Sequence, residues 1–200
     1  MTDSDLIQKY TSGDINAFNQ LVWRWEKPIF NFILKMCCDF ELSKEICQKT
    51  FIRAYKSLKK LKDPAKFKSW LYQIAVNLCR DEIRRTAQQR TVSLDKLHEE
   101  SNQGAILPEN LMIREDGSPE SCWGRKEARQ LIHKALNTIP EEQRIVIIMK
   151  EYQGLKFYEI AEILNQSINT IKSRMYYGLS ALRKVFEQWN IQKEAFEYEL

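Results

Sequence analysis

Apolar residues recur at intervals of three and four along most of the chain, which is the spacing of one face of an α-helix. In the first half, one such stripe begins at Phe18 and ends at Met36. Pro28 lies inside it and predicts a kink or a break, because proline lacks the N–H that a helix interior needs. Ser43 is the predicted N-cap of the next helix, and a further helix is expected over residues 66–85.

The helical spacing resumes near Glu127 in shorter stripes. Gly154 is predicted to end one helix, after which residues 157–164 form a short helix and residues 169–188 a long one. The inward side chains of the long helix are predicted to be Ile171, Met175, Leu179, Leu182 and Phe186. Because six Gly and five Pro are too few for the turns of an all-β protein, the chain is predicted to be all-α.

Charge divides the chain into three parts. Residues 1–94 carry 17 Lys/Arg against 10 Asp/Glu, residues 95–120 carry 2 against 7, and residues 121–190 carry 11 against 7. Two small basic helical domains, 1–90 and 125–190, are therefore predicted on either side of a flexible acidic linker, 91–124, with a tail at 191–200. Basic domains suit a polyanion, although solvated helix faces explain the charge equally well.

Several classes of protein are excluded by what the sequence lacks. Apolar runs are only a few residues long, whereas a membrane span needs about 20, and the acidic N-terminus is unlike a secretory signal. The five cysteines show no CxxC spacing, so we expect reduced thiols in a cytoplasmic protein and no metal. With no nucleophile, base or cofactor motif in view, the chain is predicted to be neither an enzyme nor a cofactor-binding protein.

Three residues in the second basic domain have the spacing of a helix-turn-helix. Ala161 is small enough for two helices to cross, Asn165 tolerates the left-handed backbone of the turn, and Ile171 is placed to anchor the second helix. An ordinary helical hairpin has similar spacing. The second helix favours DNA binding, because residues 166–186 include no acid and its outward side chains can bond phosphates or base edges. These are Thr170, Lys172, Ser173, Arg174, Tyr176 and Tyr177.

Two sets of motifs, in this order, resemble a known family. FIRAY (51–55), FKSWLYQIAVN (67–77) and DEIRR (81–85) resemble region 2 of the extracytoplasmic-function (ECF) sigma factors. LNTIPEEQR (136–144), YEIA (158–161) and TIKSR (170–174) resemble region 4. The resemblance covers about residues 3–85 and 127–187.

The resemblance implies a subunit that binds core RNA polymerase and directs it to promoters. Its region 2 would capture the melted minus-ten element and its region 4 would read the minus-thirty-five duplex. The implied minus-ten contacts are Lys60, Lys62, Lys66, Lys68, Trp70, Asn77, Arg80 and Arg84, and the implied minus-thirty-five contacts are the six outward residues just named. The implied polymerase-docking residues are Gln48, Thr50, Phe51 and Tyr55. An anti-sigma factor is a further implied partner.

Some positions remain open at this level. Asn77 matches a family residue at the flipped-base pocket, yet it also suits a solvated helix face. Trp70 suits the core as well as a stacking platform. Lys49 stands where an acid is frequent in the family, and Tyr177 where some members carry Arg. Two rival interpretations are a helix-turn-helix regulator that is not a polymerase subunit, and a helical adaptor for an acidic partner.

Overall fold

A computed structural model describes residues 1–93 and 130–190 of the chain. In this part of the chain the regular structure is helical, with no strand. The described backbone divides into two units, one of residues 1–93 and the other of residues 130–190 apart from residues 162–165. Those four residues are described below with the second unit, because they complete the helix Phe157–Leu164 and the turn after it. The predicted linker, apart from residues 91–93, and the predicted tail lie outside the described residues.

Four helices build the first unit. They are α1 Asp3–Thr11, α2 Ile15–Cys37, α3 Phe40–Ser57 and α4 Phe67–Ser93. Helix α2 packs against each of the other three, and α3 packs against α4. The core between them is apolar and aromatic, with Leu21, Phe32 and Leu71 fully buried.

Helix α2 continues through Pro28, so the helix does not break there, and the kink that was the other expected outcome stays a prediction. Ile29 and Ile33, which follow the proline, are fully buried, and so is Leu21 before it. The missing backbone N–H would have bonded the carbonyl of Arg24, which lies on the exposed side of the helix. Apolar packing on both sides of Pro28 therefore holds the two halves in one helix.

The N-cap of α3 also differs from the prediction. Asp39 is the cap, and its carboxylate accepts a hydrogen bond from the Leu42 backbone N–H at 2.8 Å. Ser43 lies inside the helix, fully buried, and its hydroxyl donates to the carbonyl of Asp39. Asp39 and Ser43 both have side chains that can cap a helix, but only Asp39 lies next to the unpaired N–H groups of the first turn.

The described part of the second unit contains three short helices and one long helix. Residues 130–138 form α5, Glu141–Ile147 form α6, which continues as a π-helical turn over Ile148–Tyr152, and Phe157–Leu164 and Ile168–Gln188 form α7 and α8. Gly154, at φ +62°, follows the π-helical turn, as predicted. Leu179 was predicted to face inward, but it is 47% exposed, and Gly178 packs against α6 in its place.

Candidate nucleic-acid interface

A lysine-rich turn joins α3 to α4. Two short 3₁₀ segments, Leu58–Lys60 and Pro64–Lys66, form it, and the Asp63 carboxylate accepts from the Ala65 N–H at 3.0 Å. Leu58 and Phe67 anchor the two ends, each being 1% exposed. Because the apolar anchors face inward, the predicted minus-ten lysines 60, 62 and 66 are exposed, and Lys68 is half-buried.

The remaining predicted minus-ten residues lie along one side of α4, since residues seven apart return to nearly the same helix face. Asn77 and Arg84 are exposed, whereas Trp70 and Arg80 are half-buried. The Trp70 ring lies 5.9 Å from the ring of Phe67, and Arg84 donates to the Asp81 carboxylate at 3.0 Å. The helix thus presents an amide between an indole and two guanidinium groups, directly after the lysine-rich turn.

A groove between α2 and α3 collects three of the four predicted docking residues. Gln48, Phe51 and Tyr55 line it from α3, opposite a largely apolar wall of α2. Thr50 does not reach the groove, because it is fully buried and its hydroxyl donates to the Ile46 carbonyl at 2.8 Å. Thr50 therefore belongs to the packing of α3, and its side chain is unavailable to a partner.

Sequence reasoning missed the rest of this groove. Ile15 and Ile52 are 62% and 45% exposed, and both line it. Its other charged lining residues are Glu26, Asp39, Glu41, Lys44 and Glu45. Lys49 binds Glu45 at 2.5 Å and holds the pKa of that carboxyl below its ordinary value, chiefly through this hydrogen bond. The signal in the sequence was weak: isolated apolar residues outside the inward stripes.

The helix-turn-helix has the predicted geometry. Ala161 and Ile171 are buried, and Asn165 adopts a left-handed backbone at φ 51°. The turn is closed by the Gln166 N–H, which donates to the Ala161 carbonyl at 3.0 Å. Ser167 then caps α8, since its hydroxyl accepts from the Thr170 N–H at 3.0 Å. These contacts define where the recognition helix, α8, begins.

Five of the six predicted contact residues of α8 fall into two groups. Lys172 and Ser173 are exposed, and Tyr176 and Tyr177 are 71% and 61% exposed with their rings 5.7 Å apart. The Thr170 hydroxyl, in contrast, lies 2.8 Å from the Ser167 hydroxyl.

Arg174 differs from both groups, because its guanidinium is already engaged within the unit. It donates to the Glu142 carboxylate at 2.5 Å, and its side chain is only 19% exposed.

Helix α8 lies unusually close to α6. A Cβ at Gly178 would come 2.8 Å from the Ile147 Cδ1 atom and 3.1 Å from the Gln143 Cβ atom. Only a glycine allows this approach without a shift of the neighbouring side chains. The position of the recognition helix is therefore set by its contact with α6.

A polar pair also lies within this unit. Arg144, only 9% exposed, donates to the side-chain amide oxygen (Oδ1) of Asn137 at 2.6 Å. The Nε of Arg144 and the side-chain oxygen of Gln143 are buried without a hydrogen-bond partner among the described residues. A buried polar group without a hydrogen bond is destabilising. These two atoms therefore make the interior of this unit less stable than a purely apolar core would be.

Two family models match the chain over most of these elements. Sigma-70 region 2 matches residues 21–90, and sigma-70 region 4 matches residues 129–182. The ECF RNA polymerase sigma-E factor of Escherichia coli (strain K12) is 29% identical over 186 residues, which cover 91% of this chain and 93% of that protein. The RNA polymerase sigma-H factor of Pseudomonas aeruginosa is 25% identical over 185 residues, covering 92% and 94%.

Solved structures share the fold. CnrH, in complex with the cytosolic domain of CnrY, superposes with a TM-score of 0.65 at 22% identity, covering 93% of this chain and 97% of that one. The sigma factor RpoE of Bartonella quintana, in complex with the anti-sigma factor NepR, gives 0.66 at 22% identity, covering 86% and 98%. Among the described residues, no helix is both long and apolar enough to span a membrane, and no side-chain cluster suits a metal ion.

Proposed function

Because this chain belongs to the ECF group of sigma-70-type sigma factors, we propose that it binds core RNA polymerase and directs initiation at promoters through the residues described above. The observation that carries this proposal is the pairing of two different surfaces in one chain. The first unit joins a groove to a lysine-rich turn and the Asn77 face of α4, and the second presents a capped recognition helix. In this scheme the catalysis belongs to the polymerase.

We assign minus-ten recognition to the turn and α4. A single strand that leaves the duplex would meet positive charge at this turn, supplied by Lys60, Lys62, Lys66 and Lys68. Asn77 offers a donor and an acceptor to the edge of an unstacked base, and its exposure on α4 supports this role. Trp70, Arg80 and Arg84 extend the surface with a ring and two guanidinium groups along the same face.

We assign minus-thirty-five recognition to the first half of α8. Lys172, Ser173, Tyr176 and Tyr177 are exposed there, and Thr170 and Arg174 lie at its margins. The N-terminal part of a recognition helix is the part that enters the major groove. Hydroxyl and cationic side chains at these positions suit phosphate oxygens and base edges.

Polymerase docking is assigned to the groove between α2 and α3. Gln48, Phe51 and Tyr55 would contact the partner, while Thr50 holds α3 in place from inside. The groove combines apolar surface with four carboxylates, so a partner helix with apolar and basic side chains is complementary to it. The solved complex of RpoE with the anti-sigma factor NepR supports an anti-sigma factor as a second partner. Work on chromosomal promoters implies a cytoplasmic location.

The test is run-off transcription with core polymerase, followed by sequencing of transcript starts. Wild-type protein should direct initiation at a defined set of promoters.

Asn77→Ala tests the capture of a minus-ten base. The variant should keep polymerase binding but lose open-complex formation, because unstacking costs a few kcal/mol that base capture no longer offsets. Permanganate reactivity of thymines measures the melting. A template with a pre-melted minus-ten bubble is the control and should partly restore initiation, because the melting is then done in advance.

Two results would contradict these assignments. Normal melting by Asn77→Ala on a fully paired promoter would make Asn77 a solvated helix residue. Tight, sequence-specific promoter binding by the chain without polymerase would instead favour a helix-turn-helix regulator that is not a polymerase subunit.

A further inference from the structure

A carboxylate from another helix reaches the recognition helix. Residues 166–186 contain no acidic side chain, so the negative charge beside the first half of α8 is supplied by Glu142 in the first turn of α6. Its Oε2 atom accepts from a terminal nitrogen of Arg174 at 2.5 Å. The Glu142 side chain is 62% exposed and that of Arg174 only 19%.

The backbone makes this pairing a fixed feature of the unit. Arg174 lies one helical turn before Gly178, so both residues are on the side of α8 that approaches α6. The close contact at Gly178 leaves little freedom for α8 to shift along α6. Arg174 therefore occupies the edge of the recognition surface nearest α6, beside the outward positions of Lys172 and Ser173.

We propose that Glu142 is a positioning residue for promoter recognition: it holds the Arg174 guanidinium in one orientation, so that its other N–H donors meet the minus-thirty-five duplex. This inference rests on the proposed function. A guanidinium carries five donors in a rigid plane, and the observed bond uses one terminal nitrogen. A side chain that is already ordered loses less conformational freedom on binding, which favours a bidentate contact.

The charge of Glu142 favours the specific contact of Arg174 but weakens non-specific binding to DNA. A carboxylate beside the DNA-facing surface repels phosphates, so it lowers affinity for every duplex regardless of sequence. The two effects together predict that Glu142 lowers the affinity for every duplex. They also predict that it raises discrimination between the minus-thirty-five element and other sequences. A residue that merely stabilised the unit would change binding to all duplexes in parallel.

The experiment measures binding of the full-length chain in holoenzyme to two duplexes. One is a promoter identified by transcript-start sequencing, and the other is the same promoter with its minus-thirty-five element scrambled. Glu142→Gln should reduce the ratio of the two affinities about tenfold, the size of one good base contact, without weakening binding to the scrambled duplex. Arg174→Ala should reduce the ratio similarly, and the double variant should be no worse than Arg174→Ala alone.

Glu141→Gln is the matched control, because it removes the same charge from the same turn of α6. It should change affinity for both duplexes equally and leave their ratio intact. The proposal is overturned if Glu142→Gln behaves like this control, if it weakens both affinities in parallel with a lower melting temperature, or if the two single effects add. A wild-type holoenzyme that binds both duplexes equally would overturn the proposed function itself, and this inference with it.

Discussion

The two units contrast in how their recognition surfaces relate to their cores. In the first unit the core is apolar and aromatic: Phe32 packs edge-on against Tyr72 with ring centroids 5.5 Å apart, and Trp25 packs against Tyr72 at 6.3 Å. Apart from Trp70, whose ring packs against the buried Phe67, the proposed DNA-binding side chains lie outside that core. In the second unit the recognition helix is itself part of the packing, through Gly178, Ile171 and the Arg174–Glu142 pair.

This contrast separates two kinds of substitution. On α4 a side chain such as Asn77 can change while the buried stripe beneath it stays intact, so a functional defect there reports on DNA. On α8 a change at one of the packing residues shifts the helix as well as its chemistry. Variants in the second unit therefore need a stability measurement beside every binding measurement.

Phe32→Ala should have the largest effect, and would sharpen the description of the first core. Phe32 is fully buried, and removing such a ring costs about 3–5 kcal/mol of unfolding free energy. Denaturant unfolding followed by tryptophan fluorescence measures this. Trp23→Ala, at a site 84% exposed, is the control and should change stability by less than about 0.5 kcal/mol. Equal effects of the two variants would refute the buried placement of Phe32.

Gly178→Ala tests the close helix contact of the second unit. Alanine in a helix usually gains about 0.5–1 kcal/mol over glycine, but here its Cβ would meet Ile147 and Gln143. Such overpacking costs about 1–3 kcal/mol, so the melting temperature should fall. The exposed Ser180→Ala is the control and should not lower it. Adding Ile147→Val removes the clashing Cδ1 atom and should restore part of the lost melting temperature. A Gly178→Ala variant as stable as wild type would contradict the close contact between α8 and α6.

Local rules predicted the parts of the structure whose determinants are close in sequence. The bounds of α7, the left-handed Asn165 and the inward Ala161 and Ile171 all follow from the spacing of three residues, because a tight turn leaves few alternatives. The exposure of Lys60, Lys62 and Lys66 also follows from local chemistry, because a lysine side chain is rarely buried without a partner. The family models and the relatives then confirmed the sigma-factor assignment that the motifs suggested.

What could not be predicted depends on contacts between distant residues. Glu142 and Arg174 are 32 positions apart, and nothing local pairs them. Leu179 fitted a stripe with a step of four after Met175, but the buried stripe of α8 takes a step of three there, to Gly178, and leaves Leu179 exposed. Pro28 was judged by its local chemistry alone, whereas the surrounding core decided that α2 continues. The groove between α2 and α3 arises only once the two helices pack.

The pH dependence of stability tests the burial of Cys47, which lines the groove of the first unit and is 6% exposed. Burial, and secondarily Glu26, raises the pKa of the Cys47 thiol from 9.0 to about 12. The unfolded thiol ionises near pH 9 and the folded one does not, so this contribution to stability is complete below pH 9 and is lost as pH rises toward 12. At pH 10 the loss is about 1 kcal/mol.

Cys47→Ala serves as the comparison for this effect. The variant should be less stable at every pH, because a buried side chain is shortened. Between pH 8 and pH 10, however, its unfolding free energy should fall less than that of the wild type, and the difference should be about the loss just given. Tyr10, whose pKa burial also raises, contributes equally to both proteins and cancels. Identical slopes in denaturant titrations would mean that the Cys47 thiol is accessible to water.

The smallest effect is expected at Asn165, where it tests whether the turn of the second unit is set by the backbone alone. A left-handed residue other than glycine is strained, and asparagine is less strained than alanine. Asn165→Ala should therefore cost about 1 kcal/mol, whereas Asn165→Gly should stay within about 0.5 kcal/mol of wild type because relieved strain offsets the added freedom of the unfolded chain. Thermal unfolding of the two variants measures the difference. If alanine and glycine are equally tolerated, the residue is not held at φ 51°, and the start of the recognition helix must then be fixed by the Ser167 cap and the packing of Ile171 instead.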